Sequence, residues 1–265
     1  MLQKEGRKVL ELKNINKTFH RGTVDETSLF ENFSLHVKKG EFVSVVGSNG
    51  SGKTTMLNII CGSIPADSGN IIVGGKDITT LSEYKRYKNI GRVYQDPSMG
   101  TCPHLTIAEN MALSEQKGTV SGLSFGLNKK RVGYYKELLS PLGLGLEDRM
   151  DAKVGLLSGG QRQALSLVMT TMSDIDILIL DEHTAALDPK TADIIMELTD
   201  KVVKEKSLTA IMVTHNLRFA VEYGNRIIMM HEGNVVLDRA GDEKKKAGVD
   251  ELLGLFNEIS IECGN

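Results

Sequence analysis

The chain of 265 residues is poor in cysteine: Cys61, Cys102 and Cys263 are odd in number and widely spaced. That excludes a disulfide framework and a cysteine-bound zinc cluster, and it fits a reducing compartment. Charge of one sign is also missing, since 32 Lys and Arg stand against 34 Asp and Glu for a formal net charge of -2. A dedicated nucleic-acid binder carries one-sided basicity, so no nucleic-acid partner is expected. No apolar run approaches the roughly 20 residues that span a bilayer. The opening MLQKEGRKVLELKN has no apolar stretch of signal-peptide length either. A role at a membrane is therefore expected to be exercised from the aqueous side. Internal repeats, low-complexity blocks and long coiled-coil inserts are lacking too, which excludes repeat architectures.

What is present is a 40% share of hydrophobic residues, enough to fill a substantial core. Apolar runs of strand length alternate with helical patterns, the mark of an α/β parallel sheet. Four runs matter most: Phe42 to Val46, Ile90 to Tyr94, Ile177 to Leu180 and Thr209 to Val213. Each is followed at once by a polar residue or a glycine turn: Gly47, Gln95, Asp181 and Thr214-His215. Ligands of open parallel sheets sit beyond the carboxyl ends of the strands, so these four ends are expected to converge on one site. Partial alternation at Val9 to Phe19, Ser28 to Val37 and Asn70 to Val73 predicts a small antiparallel sheet. Thr106 to Gly155 reads as helical, clearest at Ile107 to Leu113 and Tyr134 to Leu142, with a Ser/Gly-rich loop at Gly118 to Gly126. Beyond Gly241, Lys244 to Lys246 reads as a solvated charge run and Val249 to Ile259 as a short terminal helix.

Gly47-Ser48-Asn49-Gly50-Ser51-Gly52-Lys53-Thr54 satisfies G-x-x-x-x-G-K-[ST], with a strand before it and a helical pattern from Thr55 to Cys61 after it. Glycines let the backbone curl so that successive N–H groups face phosphate oxygens, and the helix adds the positive end of its dipole. Lys53 supplies a flexible positive charge for the β- and γ-phosphates, while the Thr54 hydroxyl suits Mg²⁺. Thr55, at the start of the helix, is placed with the same nucleotide site.

Ile177 to Glu182 reads ILILDE, a buried strand ending in two carboxylates. Asp181 is expected to hold Mg²⁺, directly or through water, and Glu182 to polarise the attacking water as general base. Leu157-Ser158-Gly159-Gly160-Gln161 precedes the apolar-periodic Ala164 to Met169, a second glycine turn feeding a helix N-terminus.

With LSGGQ intact after the phosphate loop and about twenty residues before the acidic strand end, the chain resembles the ABC ATPase family. That resemblance implies a P-loop, RecA-like, mostly parallel sheet core with an N-terminal antiparallel β subdomain and an inserted α-helical subdomain. It implies ATP and Mg²⁺ as ligands. It also implies a second ATP-binding subunit, whose Ser158, Gly159, Gly160 and Gln161 close over the γ-phosphate held by the first. By position, Gln95 matches the Mg²⁺-sensing glutamine, Asp188 lies in the loop that touches the opposite subunit, and His215 matches the switch histidine. Phe19 stands where an aromatic stacks on adenine, although core packing uses the same apolar face. His183 is given no chemistry. The implied division is 7–95 with 156–240 as the ATP-binding core, 96–155 as the helical subdomain and 241–265 as a C-terminal extension.

The segment from Gln95 to Thr101 and on through Leu105 to Asn110 looks like the permease-facing stretch of bacterial transporter ATPases. Asp181 to Asp188 and the insertion at Gly118 to Leu127 are similar to a subgroup paired with substrate-binding proteins for amino acids, aromatic ones included. The expectation is a peripheral subunit on the cytoplasmic side of the cell membrane, energising import. A soluble ABC ATPase in cofactor assembly or in nucleic-acid and translation processes is the alternative.

Overall fold

The structure, a computed structural model, describes residues 8–117, 128–246 and 248–262, with the side chains of 256–262 outside the description. The expected loop at Gly118 to Gly126 lies outside the described residues.

The alternating segments form one antiparallel sheet. It comprises β1 (Lys8–Phe19), β2 (Thr27–Lys38), β4 (Ser68–Val73) and β5 (Lys76–Asp77) in the order β2-β1-β4-β5. Leu12 pairs with both Leu35 and Ile71, so one apolar face runs across three strands. The four apolar runs form the centre of a second, six-stranded sheet. These are β3 (Phe42–Gly47), β6 (Ile90–Val93), β7 (Ile177–Asp181) and β8 (Ala210–Val213), joined by β9 (Arg226–His231) and β10 (Asn234–Ala240) in the order β10-β9-β3-β8-β7-β6. All but β10 run parallel. Strands β9 and β10 were not anticipated. The apolar run IIMM, then Glu232-Gly233, then VVL was the available hairpin signal.

Both faces of this sheet are covered, which is why its strands read as unbroken apolar runs. The period of two sends Ile177, Ile179, Val43 and Ile211 toward α1 (Lys53–Cys61) and the antiparallel sheet. It sends Leu178, Leu180 and Met212 toward α5 (Gly159–Thr170) and α6 (Pro189–Glu205). The helical middle has its own core, in which α3 (Ile107–Glu115) and α4 (Val132–Leu139) pack Met111, Tyr135 and Leu139 against Leu165 of α5 and Ile195 of α6. A Thr106–Glu109 capping box starts α3. Short helices α2 (Glu83–Arg86) and α7 (Leu217–Glu222) connect strands, and α8 (Asp242–Lys246) and α9 (Val249–Glu262) follow β10. Among the described residues, no helix is long and apolar enough to cross a membrane.

The charge run at Lys244 to Lys246 is only partly solvated, which corrects the sequence reading. Lys245 and Lys246 are exposed, but Lys244 is buried and its Nζ donates to the carbonyls of Tyr223 and of Gly224, just beyond the end of α7. Carbonyls left over at a helix end attract a cation, and the one-turn α8 aims this lysine at them. Burial pushes its ammonium down to about 8.

Candidate functional site

Strand β3 runs straight into the glycine loop. Gly47 has φ 154°, and a Cβ there would lie 2.3 Å from the carbonyl oxygen of Met230 on β9, so only glycine lets the loop leave the sheet at this point. Lys53 is buried at 4% exposure, its Nζ donating to the carbonyls of Gly47 and Ser48, each at 2.8 Å. Burial lowers its pKa, and the nearby Glu182 carboxylate opposes that shift. Helix α1 begins with no side-chain cap and no acidic residue in its first turn. Its leading N–H groups thus form a cradle for an anion, and the chain fits a phosphate there. Thr54, first of two threonines after the lysine, is exposed, and Thr55 is half-buried.

Three more strand ends stand beside β3 in the order β8, β7, β6, so the sheet brings together what the sequence spreads over more than a hundred residues. The period of two that directs Ile177 and Ile179 at α1 directs Asp181 to the same side. Its Oδ2 accepts a 2.6 Å hydrogen bond from Arg92 Nη2 of β6. Glu182 leaves the strand at φ 46°, a left-handed conformation unusual for a residue with a Cβ. There its Oε1 lies 2.8 Å from His215 Nε2, at the end of β8. Gln95 is exposed just past β6, whose end is held by Gln163 of α5 donating to the Tyr94 carbonyl at 3.0 Å. A cleft of about 410 Å³ opens beside Glu182 and His215. A larger one of about 570 Å³, lined by Asp174, Asp176 and Lys206, lies at the opposite end of the sheet and shares no residue with this constellation.

The hydroxyl of Thr54, the carboxylate of Asp181 and the amide of Gln95 are hard oxygen donors, the set that suits Mg²⁺. Mg²⁺ takes one or two protein carboxylates and draws its other ligands from phosphates and water, so the single carboxylate of Asp181 is compatible with it. When bound, such an ion neutralises charge developing on the phosphoryl oxygens.

The second glycine turn stands apart from the first. Ser158 caps α5, its Oγ accepting from Gln161 N while Gln161 Oε1 accepts from Ser158 N, each at 3.2 Å. A Cβ on Gly160 would lie 2.4 Å from Thr191 Cγ2, and one on Gly159 3.2 Å from Leu187. The turn therefore abuts the start of α6, where Asp188 caps the helix by accepting from Thr191 N. Among the described residues no hydrogen bond joins this turn to the phosphate loop. Ser158 and Asp188 are both exposed. Phe19, at the end of β1, is half-buried with the Lys17 ammonium 5.2 Å from its ring centroid.

One contact at the site escaped the sequence reading. Arg92 was passed over, although an arginine inside the apolar run IGRVY was itself a signal. His183 is buried and neutral, its Nε2 3.1 Å from the Thr199 hydroxyl, with burial pushing its pKa down to about 4.

A family model described as ABC transporter matches residues 30–185. The chain is 48% identical over 248 residues to a tyrosine transport ATP-binding protein of Clostridioides difficile, covering 94% of this chain and 98% of that one. It is 32% identical to a spermidine/putrescine import ATP-binding protein of Haemophilus influenzae, spanning 98% of this chain and 65% of the relative. Among solved structures, an ATP-binding cassette of an ABC transporter in its ADP conformation superposes with a TM-score of 0.78 at 26% identity over 97% of this chain and 99% of that one. A dimeric cassette in a post-hydrolysis state bound to ADP and Pi matches with a TM-score of 0.73 at 32% identity, over 87% of this chain and 98% of the other.

Proposed function

The chain belongs to the ABC transporter family as an ATP-binding, ATP-hydrolysing subunit, and on that premise we propose how its residues divide the work and what the hydrolysis drives. Lys53 and the backbone of Gly47 to Thr54, with Thr55, hold the phosphates. Thr54, Asp181 and Gln95 hold Mg²⁺. Glu182 accepts the proton of the attacking water, oriented by His215, which lies 2.8 Å from its carboxylate. Phe19 stacks on the adenine. The observation that carries this reading is the convergence of Lys53, Asp181 and the Glu182–His215 pair at adjacent ends of one parallel sheet.

Ser158 to Gln161 and Asp188 act on the nucleotide of a second subunit. The exposure of Ser158 and Asp188, and the lack, among the described residues, of hydrogen bonds from this turn to its own phosphate loop, support a head-to-tail pair with two nucleotides between the subunits. Segments 7–95 and 156–240 make the ATP-binding core, 96–155 the helical subdomain and 241–265 a C-terminal extension. The permease docks on the cytoplasmic side against the cleft of about 430 Å³ between core and helices, where Met99 and Leu113 are exposed. ATP closes the pair and hydrolysis reopens it, the work coming from the different affinities of ATP and ADP for the closed state. The cargo in this reading is an aromatic amino acid, which the tyrosine-transport relative supports, and it is imported after delivery by a binding protein.

Lys53→Ala is expected to abolish nucleotide binding or turnover. Uptake of labelled tyrosine by cells carrying Lys53→Ala, against the parent, tests the cargo, and equal uptake would remove it. Purification reproducibly with soluble partners alone would remove the permease.

A further inference from the structure

Arg92 is the residue that the reading above leaves without a task. It lies on β6 facing α1, its side chain 7% exposed, and it donates to Asp181 Oδ2 at 2.6 Å. Its guanidinium stacks on the Tyr94 ring, 4.8 Å from the centroid. The Tyr94 hydroxyl in turn shares a 2.7 Å hydrogen bond with Tyr87, whose hydroxyl donates to Glu83 at 2.8 Å. Both tyrosines and Arg92 line the cleft between core and helices. On the far side, the buried thiol of Cys61, last residue of α1, faces the same guanidinium, with burial pushing the thiol up to about 11. The Nε of Arg92 is a buried donor with no hydrogen-bond partner among the described residues. A polar head held this way, in a strand otherwise apolar, is costly to bury unless its contacts are used.

We propose that Arg92 is a positioning residue for the metal-holding carboxylate: it commits Oδ2 of Asp181, leaves Oδ1 for the metal or its water, and ties that carboxylate to the cleft wall through Tyr94. The inference rests on the Mg²⁺ role assigned to Asp181. An arginine suits the task because its planar fork can hydrogen-bond a carboxylate in its plane while stacking on a ring with its face. Partners that orient a ligating carboxylate are worth about 10- to 100-fold in metal affinity. The cleft wall and the metal site thus share one buried side chain, a direct mechanical route between the surface offered to the permease and the nucleotide.

The test uses the full chain in a Glu182→Gln background, with Mn²⁺ as a paramagnetic stand-in read by electron paramagnetic resonance in the presence of ATP. ATP affinity is measured separately in EDTA. Arg92→Met is expected to weaken Mn²⁺ binding by about 10- to 100-fold while leaving metal-free ATP affinity unchanged. Arg92→Lys keeps the charge beside Asp181 but not the fork, and is expected to weaken Mn²⁺ by about 10-fold. That variant carries the measurement if Arg92→Met does not fold. Native Mn²⁺ affinity in the folded variant overturns the positioning role. Tyr94→Leu, which leaves the ion pair in place, is expected to weaken Mn²⁺ several-fold, and an unchanged value overturns the link to the cleft. Loss of ATP binding in EDTA by the Glu182→Gln parent would instead sink the nucleotide site itself.

Discussion

Glu182 shows how one residue is made ready for chemistry by its backbone. With φ at 46° it holds a conformation that costs on the order of 1–3 kcal/mol for a side chain with a Cβ. That turn swings its carboxylate off the strand and onto His215. Replacing only the charge, as in Glu182→Gln, keeps the shape. Turnover is expected to fall by roughly 10²- to 10⁴-fold with ATP binding intact, and full turnover by single-turnover phosphate release would end the general-base assignment. Its neighbour His183 has the opposite character, sealed and neutral. Because its pKa is about 4 in the fold against an ordinary 6.5, the unfolded chain binds the proton first. The stability it allows is full above pH 6.5 and is lost as pH falls through that value toward 4, on the order of 2 kcal/mol by pH 5. Urea midpoints measured at pH 7 and pH 5 should show a drop that His183→Gln reduces.

At the scale of elements, tight contacts between helices carry the arrangement. The start of α5 lies so close to α6 that a Cβ on Gly160 would meet Thr191 Cγ2 at 2.4 Å. Gly160→Ala is expected to destabilise by about 1–3 kcal/mol through overpacking. Adding Thr191→Ser, which removes the obstructing methyl, should recover most of that in thermal melts, and failure to do so would place the cost elsewhere. Among the described residues of helix α8, Lys244 is the buried one. Lys244→Ala loses two carbonyl contacts near the end of α7 and is expected to cost about 1–3 kcal/mol, whereas Lys245→Ala at an exposed position should stay within about 0.5 kcal/mol. Equal effects of the two substitutions would mean that the buried contacts do not stabilise the fold.

For the whole molecule, the proposal that another copy completes each nucleotide site rests on Ser158 and Asp188, which both face solvent. The Glu182→Gln protein should therefore sediment as a dimer with ATP and as a monomer with ADP, the ATP itself completing the interface. A monomer under both conditions would dismiss the sandwich.

The sequence by itself determined the local chemistry. Glycines at 47, 50 and 52 before Lys53, apolar strands ending in Asp181 or Thr214, and Ser158 before a periodic helix each act through backbone freedom, pleat and dipole. Those are properties of a few neighbouring residues, so they can be read without knowing what packs where. The antiparallel sheet was legible for the same reason, its alternation at Val9 to Phe19 being set by one solvated face. Only the tertiary structure decided which side chains meet across distance. Arg92 finds Asp181 because β6 and β7 are neighbours in the sheet, although 89 residues separate the two in sequence. Lys244 is buried because the chain returns to the end of α7, and Lys245 beside it is not. Long-range pairing depends on sheet order and on the desolvation that packing imposes, and neither is encoded in the spacing of residues along one segment.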